Sequence, residues 1–383
     1  SGTVFVPLKP DDPLYVAGAS TNFMVLSRAT NQPGPDGILG TADDIKDGVN
    51  SDTPYVDQSQ TYTSHPSHQV FLREYALNSA GLPVSTGRLI NGAAGGLPTW
   101  ADIKAQAAHL LGIQLSDQDV LNVPLLRTDA YGRFIPGAHG YPQIATPTGF
   151  VEADPAANGG LGVSPTAIGA VRTNHALLDD IAHNAIPSPG LVPDPDTSIG
   201  APGSVQPAGT YDNELLDAHY ITGDGRGNEN IGLTAIHHIF HSEHNGEVQD
   251  IKNLVATFPV GSPAGLSQWQ LSPGVWNGER LFQAAKFVTE MEYQHIVFEE
   301  FARFVQPAIN AFTAYDSSID PAITAEFAHA VSSCRHPMPN RASPPITQTG
   351  STQDLRLIVR LHDPVAFIHG APRVTQPADT CEN

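Results

Sequence analysis

A glycine-rich turn that leads directly into a long helical pattern is the feature that most constrains how this chain can fold. The turn is Gly223-Asp-Gly-Arg-Gly-Asn-Glu-Asn230. Arg226 carries a permanently charged guanidinium with five donors, which suits it to stabilise developing oxyanion charge. Glu229 is expected in the first helical turn, where the helix dipole favours a carboxylate. The sequence therefore predicts a ligand-facing site, and the simpler alternative is a surface turn in which Arg226 and Glu229 pair while Asn228 or Asn230 caps the helix.

Helical apolar spacing recurs along the chain, while strand signals are few. The predicted helices cover residues 97–113, 165–185, 230–256, 278–304 and 321–331. Residues 187–209 are rich in Pro, Gly and Ser, so we expect them to be irregular. The predicted fold is mainly α, with long irregular loops and few short strands.

Charge and composition limit the function classes. The chain has 383 residues, of which 39 are acidic and 19 basic, for a formal net charge of −20. Such a charge disfavours nucleic acid and anionic membrane surfaces and attracts cations such as Ca²⁺ and Mn²⁺. No apolar run approaches the roughly 20 residues that span a bilayer, and the absence of a signal-peptide pattern leads us to expect a processed or truncated start. Cys334 and Cys381 allow one bridge or two thiols, and the composition favours an extracellular or periplasmic protein.

Three segments together resemble the animal-type haem peroxidases of the peroxidase-cyclooxygenase superfamily. Residues 223–245 are similar to the family segment that carries the peroxide-side Arg and Glu, and residues 276–301 are similar to the next long helix. Thr53-Pro-Tyr-Val-Asp-Gln-Ser59 is similar to the family's calcium loop. The acidic turns of residues 35–44 further resemble bacterial calcium-repeat peroxidases linked to manganese oxidation, and the residues leave a solvated acidic loop open as an equal alternative. The match covers roughly residues 1–331 and implies one haem peroxidase-like domain over residues 1–383, apparently incomplete.

The resemblance assigns roles to two residues of the turn. Arg226 would polarise hydrogen peroxide, and Glu229 would contact or esterify a haem methyl group. In the family, a distal His with neighbouring Asp residues precedes the region that matches the first residues here, and that segment does not occur in these 383 residues. We therefore expect either that another polypeptide supplies this general base, typically worth ~10²–10⁴ in rate, or that the chain is catalytically impaired.

The resemblance also implies a histidine ligand to the haem iron. Residues 325–331 match the opening of the family's proximal stretch, whereas residues 332–338 depart from it. His336 falls at the ligand position, followed by Pro337, which would disturb a continuing helix. His329, about two helical turns upstream, is the alternative ligand.

The implied calcium ligands are Thr53, Tyr55, Asp57 and Ser59. The loop offers side-chain oxygens from Thr, Asp and Ser and the carbonyl of Tyr55, and Ca²⁺ takes six to eight such oxygens. On the residues alone, an ordinary Asx and Ser turn is the more frequent outcome of this pattern.

His237, His241 and His244 recur at helical spacing and share one face of the predicted helix. Such a stripe suits a transition metal. Buried imidazoles with hydrogen-bond partners are the commoner reason for the pattern.

The function favoured at this stage is a haem peroxidase that uses hydrogen peroxide to oxidise a small electron donor, with haem and calcium as cofactors and Mn(II) as a candidate donor. The alternative is a non-catalytic, calcium-stabilised peroxidase-like module of a secreted assembly. A fatty-acid dioxygenase is a third candidate, because that chemistry shares the scaffold. The expected macromolecular partner is a polypeptide that carries the distal His; neither nucleic acid nor a membrane span is expected.

Overall fold

A computed structural model describes residues 3–10, 15, 17–18, 22–27, 33–45, 56–63, 65–179, 185–200, 206–259, 261–310, 316, 318, 342–343 and 355–356. The chain divides into two compact units. One unit consists of Ser1–Tyr55 and Thr313–Asn340, and the other of Val56–Phe312 and Arg341–Asn383. The predicted helix at 321–331 lies outside the described residues, as do both cysteines.

The described part of the smaller unit contains one hairpin-like strand pair and an acidic turn. Strands β1 (Thr3–Pro7) and β2 (Phe23–Ser27) run antiparallel. In the turn at residues 33–45, Asp36 accepts the Ile38 N–H at 2.8 Å and Asp43 accepts the Asp36 N–H at 3.2 Å. Both carboxylates therefore brace the turn's own backbone, as in Asx turns.

Helices and short strands are interspersed along the larger unit. The helices are α1 Ser59–Tyr62, α2 Pro66–Leu72, α3 Trp100–His109, α4 Asn213–Ala218, α5 Ile231–Ala256, α6 Gly278–His295 and α7 Ala302–Val305. The strands are β3 Arg73–Leu77, β4 Pro83–Leu89, β5 Gln143–Thr146, β6 Gly149–Glu152, β7 Val192–Pro193, β8 Thr210–Tyr211, β9 Gln270–Ser272, β10 Val275–Trp276, β11 Ala342–Ser343 and β12 Leu355–Arg356. Every sheet in the described residues has two strands, and only β7 and β8 pair in parallel. The prediction of a mainly helical fold with few short strands is confirmed.

Two predicted helices agree closely with the structure. Helix α5 begins after Asn230, whose side chain accepts the Leu233 N–H at 2.9 Å, and it ends at Ala256 as expected. The predicted helix at 278–304 is α6, which continues through a π-helical segment at Ile296–Phe301 into α7.

Two other helical predictions were too long or wrong. The prediction at 97–113 shortens to α3, which starts at a capping box between Thr99 and Asp102. Residues 165–179, the described part of the prediction at 165–185, contain no helix. Their backbone bonds instead join other segments: Val171 donates to Ala145 at 2.9 Å and accepts from Leu125 at 2.8 Å. Cross-chain pairing has overridden the helical spacing there.

The core of the larger unit forms around α1, α2 and α3. Trp100, Ile103, Phe71 and Tyr62 are buried in one apolar cluster. Helices α5 and α6 pack against each other and against β4. Gly278 permits this approach, because a Cβ at that position would overlap the Ser85 carbonyl oxygen. The packing fixes α5, and with it the glycine-rich turn. Among the described residues, no helix combines the length and apolar character needed to cross a membrane.

Candidate functional site

Glycine packing determines where the turn at Gly223–Asn230, here called the arginine turn, sits in the larger unit. A Cβ on Gly223 would lie 2.5 Å from the Ser59 carbonyl oxygen and 2.6 Å from the Thr63 nitrogen. A Cβ on Gly225 would lie 2.9 Å from the Asp179 nitrogen. Only glycine allows such close backbone approach. The arginine turn is therefore held directly against α1 and residue 179.

Arg226 is clamped by Asp224. Its backbone N–H and its Nε donate to Asp224 Oδ1 at 2.9 and 3.0 Å, and its Nη2 donates to Oδ2 at 2.8 Å. Burial opposes ionisation of Asp224, but the hydrogen bonds from Arg226 outweigh it and lower the pKa of this carboxyl. The same hydrogen bond raises the pKa of the Arg226 guanidinium. The side chain of Arg226 is nevertheless 64% exposed, so its remaining donors are free to meet a ligand.

Glu229 does not take the place expected for it. It precedes the N-cap Asn230 and is exposed, and its backbone N–H donates to the Arg226 carbonyl at 2.9 Å. The expectation that it occupies the first helical turn was wrong, because Asn230 caps the helix one residue later. The partner of Arg226 is Asp224, so the predicted pairing with Glu229 is also absent.

Arg226 borders a solvent-filled cleft of about 430 Å³, here called the arginine cleft. Its lining residues come from α1 and α2, from the loop around residue 175 and from the arginine turn: Ser59, Gln60, Thr63, His68, Asn174, His175, Ala176, Asp179, Gly223, Asp224, Gly225 and Arg226. Glu229 is not among them. The cleft brings Arg226 together with Ser59, one of the predicted calcium ligands, but not with Glu229.

Sequence reasoning missed two histidines of the arginine cleft. His68 is fully buried, and burial together with the nearby His175 and His65 lowers its pKa to about 3. Its Nδ1 lies 3.2 Å from Thr63 Oγ1, whereas its Nε2 is buried without a hydrogen-bond partner. Residues 68, 175 and 226 have no sequence spacing in common, so only the folded chain reveals that they share a cleft.

Asp57 and Ser59 lie together at the start of α1. The Ser59 N–H donates to Asp57 Oδ1 at 3.2 Å, which is the Asx arrangement weighed as the alternative to a calcium loop. Between them, Gln58 has a left-handed φ of 53° and a fully buried side chain whose amide oxygen and nitrogen both lack partners. Thr53 and Tyr55 lie outside the described residues, so the four-ligand calcium set stays a prediction.

The histidine stripe of α5 anchors that helix to β4. His244 Nε2 donates to the Gly87 carbonyl at 3.1 Å, and its Nδ1 therefore accepts from the Tyr62 hydroxyl at 2.9 Å. His241 Nε2 lies 2.9 Å from Asn91 Oδ1. Burial lowers the pKa of His241 to about 4 and that of His244 to about 3, so both are neutral. In the described residues the stripe belongs to no group spaced to share a metal ion.

Both candidate iron ligands, His336 and His329, lie outside the described residues, and the choice between them stays a prediction. The predicted haem contact of Glu229 is likewise untested.

Comparison with known proteins supports the resemblance to animal-type haem peroxidases independently of the site geometry. Residues 200–370 match the family model described as animal haem peroxidase. Over 116 residues the chain is 26% identical to Peroxidasin of Drosophila melanogaster, a stretch that makes up 29% of this chain and 6% of that protein. Over 115 residues it is 27% identical to Peroxidase mlt-7 of Caenorhabditis elegans, covering 29% of this chain and 13% of that protein. The chain therefore matches only a small part of these relatives.

Among solved structures, Peroxidase A from Dictyostelium discoideum aligns with 91% of this chain and 45% of its own, at 15% identity and a TM-score of 0.44.

Proposed function

Because residues 200–370 match the animal haem peroxidase family model and part of the chain is similar to known peroxidases, we propose that the chain belongs to this family and supplies the arginine side of a haem site at which hydrogen peroxide is reduced and a small electron donor is oxidised. The overall reaction takes two electrons and two protons to convert one peroxide into two waters. Donor molecules lose those electrons. The chain's own contribution is the placement of charge at the peroxide.

The observation that carries the proposal is the clamped Arg226 at the rim of the arginine cleft. Asp224 engages the Nε and one Nη2 donor, which leaves three N–H groups of the guanidinium for a ligand. A permanently charged, pre-oriented donor stabilises negative charge that develops on a peroxide oxygen without having to move a proton itself. Asp224 acts as the residue that orients it.

Apolar surface for a planar cofactor is available on α5, outside the lining of the arginine cleft. Ile231, Ile236 and Ile239 of α5 are each at least half exposed, which leaves apolar surface that a porphyrin ring would cover. Haem, once bound, supplies the redox-active iron that couples peroxide reduction to donor oxidation. We propose His336 as its axial ligand, with His329 as the alternative, and Glu229 as the contact to a haem methyl group.

We further propose that the peroxide-side histidine comes from a segment outside these 383 residues. Several buried polar atoms around α1 lack partners, namely both amide atoms of Gln58, Oγ1 of Thr61 and Nε2 of His68 and His237. Unpaired buried groups are rare in folded proteins and cost about 1–3 kcal/mol each. A polar segment docked beside α1 would satisfy them. This combination supports a general base delivered to the arginine cleft from elsewhere.

Two finer assignments belong to the same proposal. Calcium would bind Thr53, Tyr55, Asp57 and Ser59, and would tie this loop to the docked segment. Mn(II) is the donor that the acidic charge favours, and an extracellular or periplasmic location fits both cations.

The test is a haem-loading and peroxide experiment on the purified chain. We expect a Soret band on addition of haem and a spectral change when hydrogen peroxide follows. Arg226→Ala should slow the peroxide step about 10²- to 10³-fold and leave the Soret band in place. Arg127→Ala, which removes another exposed arginine away from the arginine cleft, is the matched control. An unchanged peroxide rate in Arg226→Ala would contradict the role of this residue.

The non-catalytic module is the competing function, and the bidentate pair with Asp224 favours it because the guanidinium charge is already balanced. The same experiment separates the two. Failure to bind haem, together with a melting temperature that falls when a chelator removes calcium, would establish the module and refute the peroxidase.

A further inference from the structure

Three carboxylates outside the arginine cleft converge where the irregular segment before α4 meets that helix. The parallel pair β7–β8 sets Val192 beside Thr210 and Pro193 beside Tyr211, and the Asp194 N–H donates to the Tyr211 carbonyl at 2.9 Å. This register places Asp194 next to Asp212, which caps α4, and next to Glu214 in its first turn. One carboxylate oxygen from each of the three lies within 4.8 Å of the others. Asp194, Asp212 and Glu214 are named here the acidic triad.

Two members of the acidic triad present oxygens that nothing satisfies. Asp194 is only 7% exposed, and its Oδ1 is buried without a hydrogen-bond partner. Glu214 Oε2 is also buried without a partner, while its Oε1 accepts from the Asn213 side chain at 2.7 Å. Desolvated acceptor atoms of this kind are costly unless something compensates them.

The third member has defined partners that hold it in place. Asp212 Oδ1 accepts the Leu215 N–H at 2.7 Å, and its Oδ2 accepts the Gly200 N–H at 2.8 Å and the Gln206 side-chain N–H at 3.4 Å. Its Oδ1 retains a lone pair. Asp212 is thus a rigid carboxylate beside two unsatisfied ones.

No protein cation balances the acidic triad within the described residues, since none of the ion pairs there includes any of its members. The folded structure therefore brings three carboxylates together, with an oxygen of Asp194 and an oxygen of Glu214 out of contact with water.

We propose that the acidic triad binds a single Ca²⁺ ion, through Asp194 Oδ1, Glu214 Oε2 and an oxygen of Asp212. The donors are all hard carboxylate oxygens. Ca²⁺ prefers this ligand type, whereas transition metals favour imidazole and thiolate ligands. Calcium–oxygen distances of about 2.3–2.6 Å allow two ligands of one ion to lie up to about 5 Å apart, which accommodates the observed spacing. The ion would cross-link the segment around residue 194 to α4. This site is separate from the calcium loop at Thr53–Ser59 and does not depend on haem.

The test is titration of Ca²⁺ into chelator-treated protein by isothermal calorimetry, with parallel thermal unfolding. Asp194→Asn keeps the shape of the side chain and removes its charge. We expect it to weaken one Ca²⁺-binding event about 10- to 100-fold or abolish it, and to lose most of the rise in melting temperature that Ca²⁺ gives the wild-type chain. Glu214→Gln should do the same. Asp57→Asn, at the predicted calcium loop, should leave this event intact.

The direction in which Asp194→Asn changes the melting temperature without Ca²⁺ distinguishes a metal site from a structural role. In the absence of Ca²⁺, Asp194→Asn should melt at or above the wild-type temperature, because it relieves repulsion among the three acids. Asp196→Asn is the matched control, since it removes a nearby exposed carboxylate that is outside the acidic triad. The proposal is overturned if Asp194→Asn binds Ca²⁺ with wild-type stoichiometry and affinity, or if Asp196→Asn weakens binding to the same extent.

Discussion

The arginine turn and the buried middle of α5 follow one another in the sequence and are both rich in polar side chains, but they place these side chains in opposite environments. In the arginine turn, glycines press the backbone against α1 while Arg226 and Glu229 remain exposed. In the middle of α5, His244 and Asn245 are buried, and Asn245 binds both the N–H and the carbonyl of Leu89, at 2.8 and 3.1 Å. The arginine turn leaves polar groups free for a ligand. In the middle of α5, the polar side chains are instead occupied by hydrogen bonds that hold the helix to β4.

This difference assigns stability and chemistry to separate places. An exposed ion pair such as that of Arg226 contributes about 0–1 kcal/mol. A buried hydrogen bond costs about 1–3 kcal/mol when one partner is lost. Residue type alone does not distinguish the two cases, and burial with its hydrogen-bond partners does.

Acid should have the largest effect, and it should act through three buried histidines, two in the middle of α5 and one in α2, rather than through the exposed charges of the arginine turn. The pKa values of His68 and His244 are about 3 and that of His241 is about 4 in the folded chain, against about 6.5 when unfolded. Above pH 6.5 all three are neutral in both states. As the pH falls below 6.5, the unfolded chain takes up protons that the folded chain refuses. The free energy of unfolding should therefore fall by about 1.4 kcal/mol per pH unit for each histidine, or by about 4 kcal/mol per pH unit for the three together.

Urea unfolding at a series of pH values measures this slope. His139→Gln is the control, since His139 is 84% exposed and its removal should leave the profile unchanged. A free energy of unfolding that stays flat between pH 7 and 5 would show that these histidines are not buried in neutral form.

Alanine substitutions in the two regions should show the next largest difference in the free energy of unfolding. His244→Ala removes the partner of the Tyr62 hydroxyl and of the Gly87 carbonyl and leaves a cavity, so we expect a loss of about 2–4 kcal/mol at pH 7.5. Arg226→Ala should cost less than about 1 kcal/mol. Denaturant midpoints at a single pH compare the two. Equal losses would erase the distinction between the two regions.

The sequence predicted the elements better than it predicted their contacts. The apolar spacing and the capping residue Asn230 sufficed to locate α5, because a long periodic segment with a local cap depends on near neighbours. The arginine turn was recognised from Arg226, but its true partner Asp224 was not, because a carboxylate two residues away competes with one three residues away and only the backbone geometry decides. His68, His175 and Asp194 could not be placed, since each reaches its site through pairing between distant segments. The helix prediction at residues 165–179 failed for the same reason, because the backbone hydrogen bonds of residues 171–179 go to residues 120, 123, 125, 145 and 225.

The smallest effect on stability is expected for Asp224, which clamps Arg226. It tests most directly whether the arginine turn serves a ligand or the fold. Asp224→Asn keeps the shape of the clamp but removes the charge that holds both the Nε and Nη2 donors. The pair is largely solvated on the arginine side, so we expect a change of less than about 1 kcal/mol in the free energy of unfolding. A guanidinium that is no longer pre-oriented loses part of its electrostatic advantage, so the haem-loaded chain should react with hydrogen peroxide about tenfold more slowly. Asp250→Asn, which alters an exposed acid of α5 outside the arginine cleft, should leave that rate nearly unchanged. If instead Asp224→Asn unfolds the chain more readily than His244→Ala while its peroxide rate is untouched, the carboxylate is a structural brace of the turn, and the arginine turn would then resemble the buried middle of α5 rather than contrast with it.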